Sequence, residues 1–68
     1  MREEVQKFGK RLKELRLKMK MSQGDVAKKM SVDRSYISGL ERGKRNPSLL
    51  SLKKLAKAIG VDINELVK

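Results

Sequence analysis

The 68-residue sequence predicts an all-α fold, a bundle of five short helices. Three observations carry that expectation. Near the start, Val5, Phe8, Leu12, Leu15 and Met19 step by three and four, the period of one buried helical face. Near the end, Leu49, Leu52, Leu55, Ala56 and Ile59 repeat the same spacing. Between them, Ser22–Asn46 holds two sets of helix-starting residues, separated by a break at Ser31-Val32-Asp33.

The first helix is expected over Met1–Lys20, with Lys7, Arg11, Lys13, Lys18 and Lys20 off its buried face, toward solvent or phosphate. Gly9 costs that helix up to about 1 kcal/mol relative to alanine. Met21 plugs the core just before Ser22. Ser22 with Asp25 three residues on is a variant of the capping box and opens a second helix, Gln23–Met30. Val26, Ala27 and Met30 share one face of it. Asp33 caps a third helix, Arg34–Glu41, whose Ile37 and Leu40 face the second. The methyl of Ala27 lets the two helices cross closely. Gly43 stops the third helix and Pro47 blocks easy continuation. Two helices crossing steeply through a short turn form a helix-turn-helix unit, here about Gln23–Glu41. A basic loop from Gly43 to Pro47 leads to Ser48, the cap of the fourth helix, which Gly60 ends with Val61 folding back. Asp62 and Glu65 form an Asp-x-x-Glu cap for a fifth helix to Lys68, with Ile63, Leu66 and Val67 apolar and Leu50 off the main face of the fourth. No internal repeat, low-complexity segment or linker interrupts the chain, so one domain over residues 1–68 is expected.

Composition narrows the function. A chain this short buries only about 60% of its extended surface, and a dimer is one source of further burial. There is no cysteine and no histidine. That removes a disulfide framework, thiolate metal sites and the commonest general base and metal ligand. Neither a catalytic constellation nor a Gly-rich phosphate loop appears, and no metal or cofactor is expected. Lys plus Arg number 18 against 8 Asp plus Glu, a net charge of +10 that favours polyanions. A membrane surface needs aromatic anchors, and Phe8 and Tyr36 are the only aromatics. No apolar run approaches the roughly 20 residues of a membrane span and no secretory signal is present, so a cytoplasmic location is expected.

Gln23, Ala27, Val32, Ile37, Leu40, Glu41, Gly43 and Pro47 resemble the phage-repressor-type helix-turn-helix family, a five-helix DNA-binding fold. The resemblance runs roughly from Phe8 to Leu66. The narrower run Asp33–Asn46 is similar to the restriction–modification controller branch. The chain departs from the family at Ser31, where glycine is frequent; keeping the same left-handed turn costs serine about 1 kcal/mol.

In a helix-turn-helix the second helix enters the major groove with its first residues nearest the bases. Arg34, Ser35 and Tyr36, with Ser38 and Gly39 a turn later, are therefore the base-reading candidates. Arginine can grip guanine O6 and N7 together, and serine can donate or accept. Tyr36 has a competing reading, a surface ring packed on the fourth helix. Gly39 lies where the family places a base-reading side chain; it either lets DNA or a partner residue approach, or is a tolerated surface glycine. Gln23, Arg42, Lys44, Arg45 and Asn46 frame that helix as phosphate candidates. The resemblance implies an ion pair between Arg16 and Glu41 that orients the recognition helix. It also implies a homodimer on double-stranded DNA, and Leu50, Ile63, Leu66 and Val67 are the apolar candidates for its interface. The expected function is a transcriptional regulator that occupies a two-fold operator, blocking RNA polymerase or recruiting it; controller proteins regulate their own operon. A general repressor, a phage switch repressor and an antitoxin share the pattern. A protein-interaction module that has lost DNA binding is the rival of another class, and Arg34, Arg42, Lys44 and Arg45 argue against it.

Overall fold

The computed structural model describes residues 3–68. Its helices are α1 (Glu3–Lys18), α2 (Gln23–Met30), α3 (Arg34–Glu41), α4 (Leu49–Ile59) and α5 (Ile63–Leu66), with no strand among the described residues. α3 packs against α1 on one side and α2 on the other, while α4 joins α2 to α5 and α5 returns to α1. The core gathers Leu12 and Leu15 from α1, Val26, Ala27 and Met30 from α2, Ile37 and Leu40 from α3, Leu55, Ala56, Ala58 and Ile59 from α4, and Leu66 from α5. Phe8, Met21, Val32, Tyr36, Val61 and Ile63 close its edges.

The capping chemistry is what starts these helices. Ser22 Oγ accepts from Asp25 N at 2.9 Å while Asp25 accepts from Ser22 N at 2.8 Å, completing the box. Asp33 accepts from Ser35 N at 2.8 Å, and Ser48 Oγ from Ser51 N at 3.1 Å. The carboxyls of Asp25 and Asp33 are held below the usual range, chiefly by the backbone N–H of Ser22 and of Ser35 respectively. A depressed folded pKa adds stability that is complete above the unfolded value, about pH 4, and is lost as pH falls through the lower folded value. The Asp25→Asn, Asp33→Asn double variant should therefore lose less stability than the parent between about pH 5 and pH 2.5 in urea melts. Equal losses would show that these caps do not titrate with folding.

Several expectations need correction. Met1 and the residue after it, within the expected first helix, lie outside the described residues. α1 ends at Lys18 rather than Lys20, because Lys20 takes a left-handed conformation (φ 57°) and Met21 N donates to Arg16 O. Met19 thus leaves the buried face and is 45% exposed. Leu49, expected in the core, is 68% exposed: as the first residue of α4 it overhangs the layer beneath. α5 stops at Leu66, and only Asp62 caps it, by accepting from Asn64 N. Glu65 turns away to pair with Arg11 and Lys68. Ser31 keeps the left-handed turn at φ 58°, ψ 42°, with Val32 N bonded to Ala27 O. Serine thus occupies the geometry that glycine would favour.

Candidate nucleic-acid interface

The candidate surface is built outward from a buried ion pair. Arg16 Nε meets Glu41 Oε2 at 2.6 Å, and Nη2 meets Oε1 at 3.0 Å, a two-pronged bridge from α1 to the last residue of α3. The two side chains are 7% and 3% exposed. Arg16 Nη1 also donates to Met21 O at 2.8 Å. Hydrogen bonding to Glu41 raises the guanidinium above its ordinary pKa, outweighing the desolvation that opposes it.

From this pair a chain of side chains runs to the surface. Gln23 Nε2 donates to Glu41 Oε1 at 3.1 Å, and Gln23 Oε1 accepts from Arg34 Nη1 at 3.2 Å. Arg34 stands exposed at the first position of α3, and Ser35 beside it is exposed as well. Gln23, expected to clamp a phosphate, is in the free protein the link between Arg34 and the buried pair.

The far half of α3 departs further from expectation. Gly39 is buried, so it is not a surface glycine. A Cβ there would meet Arg45 Cδ at 3.2 Å. The place that a side chain at position 39 would fill is taken by Arg45, reaching back from the loop. The guanidinium of Arg45 also lies 5.5 Å from the centre of the Tyr36 ring, a cation–π distance. Tyr36 is half-buried, and its hydroxyl and Ser51 Oγ are 2.8 Å apart, so its ring packs toward α4, as the competing reading had it. Ser38 is half-buried, while Arg42, Lys44, Arg45 and Asn46 are exposed around the end of α3.

Of the interface candidates, Leu50 and Val67 are exposed and Ile63 is half-buried. Leu66 is 1% exposed and belongs to the core, which removes it from the expected dimer surface. Leu49 joins Leu50 and Val67 among the exposed large apolar residues. Sequence reading missed Ser51 as the partner of Tyr36. It also missed Arg11, whose Nε donates to Glu65 O at 2.8 Å and so ties α1 to α5. Neither residue carries a local signal, since each partner comes from a distant helix. Among the described residues no group of acidic, histidine or cysteine side chains could hold a metal ion.

Comparison with known proteins places this architecture. The helix-turn-helix family profile matches residues 12–66. The chain belongs to the helix-turn-helix family of transcriptional regulators. This regulator is 43% identical over 61 residues to control protein C.MunI of a Mycoplasma species, covering 88% of this chain and 82% of that protein. Its fold is similar to the restriction–modification controller protein C.AhdI from Aeromonas hydrophila, at a TM-score of 0.88 and 47% identity over 91% of this chain and 94% of that one. It is also similar, at a TM-score of 0.85 and 34% identity over 100% of both chains, to controller protein C.Esp1396I, solved as a tetramer with its natural 35 base-pair operator. The match begins at Leu12, inside α1, so the helix-turn-helix regulator has both α2 and α3 and the Arg16–Glu41 bridge within the matched region.

Proposed function

We propose that this regulator binds double-stranded DNA as a homodimer, occupying a two-fold operator with the first turn of α3 in the major groove. One observation carries the reading: Arg34 stands exposed at the N-terminus of α3, held through Gln23 to Glu41. Arg34 and Ser35 read base edges. Arg42, Lys44 and Asn46 bind phosphates at the far end of the helix, and Gln23 offers its amide to a phosphate at the near end. Arg45, laid across Gly39 and Tyr36, brings a guanidinium beside the groove-facing turn and supplies there what Gly39 lacks. Tyr36 and Ser38 shape that surface from below. Leu49, Leu50 and Val67, with the edge of Ile63, form the contact between protomers. The protein acts in the cytoplasm without catalytic chemistry. Operator occupancy blocks RNA polymerase or recruits it, and its own operon is the first target, in the manner of controller proteins.

Salt titrations on cognate and scrambled palindromic duplexes test the division of labour. Lys44→Ala should weaken both duplexes alike and reduce the slope of log K against log salt by about one. Arg34→Ala should cost about 1–3 kcal/mol on the cognate duplex and less on the scrambled one, relaxing the preference at one base, a guanine by its geometry. Two protomers should bind each palindrome. Equal losses on both duplexes would make Arg34 a phosphate ligand. Binding no stronger than that of a random basic peptide would leave the interaction-module reading in its place.

A further inference from the structure

We propose that the side of the molecule formed by the end of α1, the C-terminal half of α2 and the C-terminal half of α4 docks an acidic amphipathic helix of a partner protein. Two shallow grooves meet there at Lys29. One, of about 690 Å³, is lined by Met19, Met21, Asp25, Lys28, Lys29 and Ile59. The other, of about 410 Å³, is lined by Lys29, Met30, Lys54, Lys57 and Ala58. Met19, Met21 and Ile59 supply apolar surface to the first and Met30 and Ala58 to the second, with lysine side chains beside them. Lys28, Lys29, Lys54 and Lys57 are all exposed, and no ion pair among the described residues involves them. Asp25 is the one carboxylate on the rim, and it is engaged by the backbone N–H of Ser22.

This surface is separate from the one proposed for DNA. Lys29 lies six residues beyond Gln23 on α2, about 9 Å along the axis and about 120° away around it. Neither groove is lined by Leu49, Leu50 or Val67, the residues proposed above for the contact between protomers. Its chemistry also differs. A phosphate backbone gains nothing from Met19 or Met21, whereas an apolar centre inside a charged rim is the pattern of a protein interface. Methionine adapts its shape to an incoming apolar side chain. The lysine stems extend the apolar ground while their ammonium groups attract carboxylates. Charge complementarity therefore selects a partner helix with acidic residues along both edges of an apolar stripe.

The probe is a fluorescent peptide of Glu, Ala and Leu, long enough for five helical turns, with its leucines on one face. Its control has the same composition with the leucines spread around the helix. The whole chain should bind the first at least tenfold more tightly than the second, with amide shifts centred on Met19, Lys29, Lys57 and Ile59. Lys29→Glu with Lys57→Glu should weaken peptide binding at least tenfold. Lys10→Glu with Lys13→Glu, an equal change of charge on exposed α1 positions, should weaken it less than threefold. Both double variants should reduce affinity for a random DNA duplex by the same factor. Equal affinity for the two peptides would reduce the surface to diffuse charge and overturn the proposal. So would a DNA loss larger for the groove variant than for the α1 variant, which would assign the lysines to nucleic acid. Amide shifts centred on Leu49, Leu50 and Val67 would equally defeat it.

Discussion

Glu41→Ala should destabilise the protein by about 3–5 kcal/mol, the range for breaking a buried ion pair from one side. The cost comes from what the variant leaves behind. The Arg16 guanidinium stays charged and stays in a place where its side chain is 7% exposed. Of its three described hydrogen bonds it keeps the one to Met21 O. Gln23 Nε2 loses its acceptor too. A surface pair of the same residues would be worth less than about 1 kcal/mol, so the two cases are far apart. Small domains have only about 5–15 kcal/mol in total, and a chain of this length sits low in that range. The urea midpoint should therefore collapse toward zero denaturant. Arg16→Met combined with Glu41→Leu should recover most of the loss, because no buried charge is then left unpaired. A Glu41→Ala midpoint within error of the parent would show that the pair contributes nothing.

Gly9→Ala should be the second large effect, in the direction opposite to helix propensity. Alanine is favoured over glycine inside a helix by about 1 kcal/mol. At Gly9, however, a Cβ would lie 2.5 Å from Leu40 O, 2.6 Å from Glu41 O and 2.9 Å from Glu41 C. All three are backbone atoms of α3, so no side-chain rotation relieves the overlap. α1 and α3 must move apart, and the Arg16–Glu41 bridge spans the gap that would open. Overpacking costs about 1–3 kcal/mol where neighbours can yield; against backbone the upper end applies, so a net loss of about 2 kcal/mol remains after the gain in propensity. Gly24→Ala is the internal control. There the nearest atom is Ser22 Oγ at 3.6 Å, an ordinary contact, and the same substitution should stabilise by about 0.5–1 kcal/mol. Thermal melts of the two variants should move in opposite directions; a stabilised Gly9→Ala protein would refute the close approach of α1 and α3.

These residues also show what could be read before the structure. Helix starts were legible because their chemistry is local: Ser22 with Asp25, Asp33 and Ser48 each act within three residues of themselves. Helix faces were legible where a repeat ran through the middle of a helix, as at Leu12, Leu15, Leu55 and Ile59. The face signal fails at two helix ends. Lys20 stops α1 in a conformation that a lysine side chain does not advertise, and Leu49 satisfies the period but sits past the edge of its neighbours. The Arg16–Glu41 pair was visible only through resemblance, since nothing local joins two residues on separate helices. The packing of Tyr36 toward α4 was one of two readings, but its partner Ser51 was not legible, nor was Arg45 as the residue that closes over Gly39. The first depends on how α4 meets α3 and the second on how a loop folds back on α3, and no spacing in the sequence encodes either.

The linkage from Arg34 through Gln23 to Glu41 and Arg16 divides the surface by how freely it can drift. Ser35 is exposed, and its side chain has no described bond inward. With Ser35 reading a base as proposed, a lineage can exchange it and sample new DNA sequences without touching the fold. Arg34 is less free, because a shorter or uncharged replacement leaves Gln23 Oε1 without its donor. Gln23 and Glu41 are scarcely free at all, since altering either disturbs the arrangement that supports the core. New specificities should therefore arise first at Ser35, with Arg34 held as the fixed anchor from which neighbouring positions are varied.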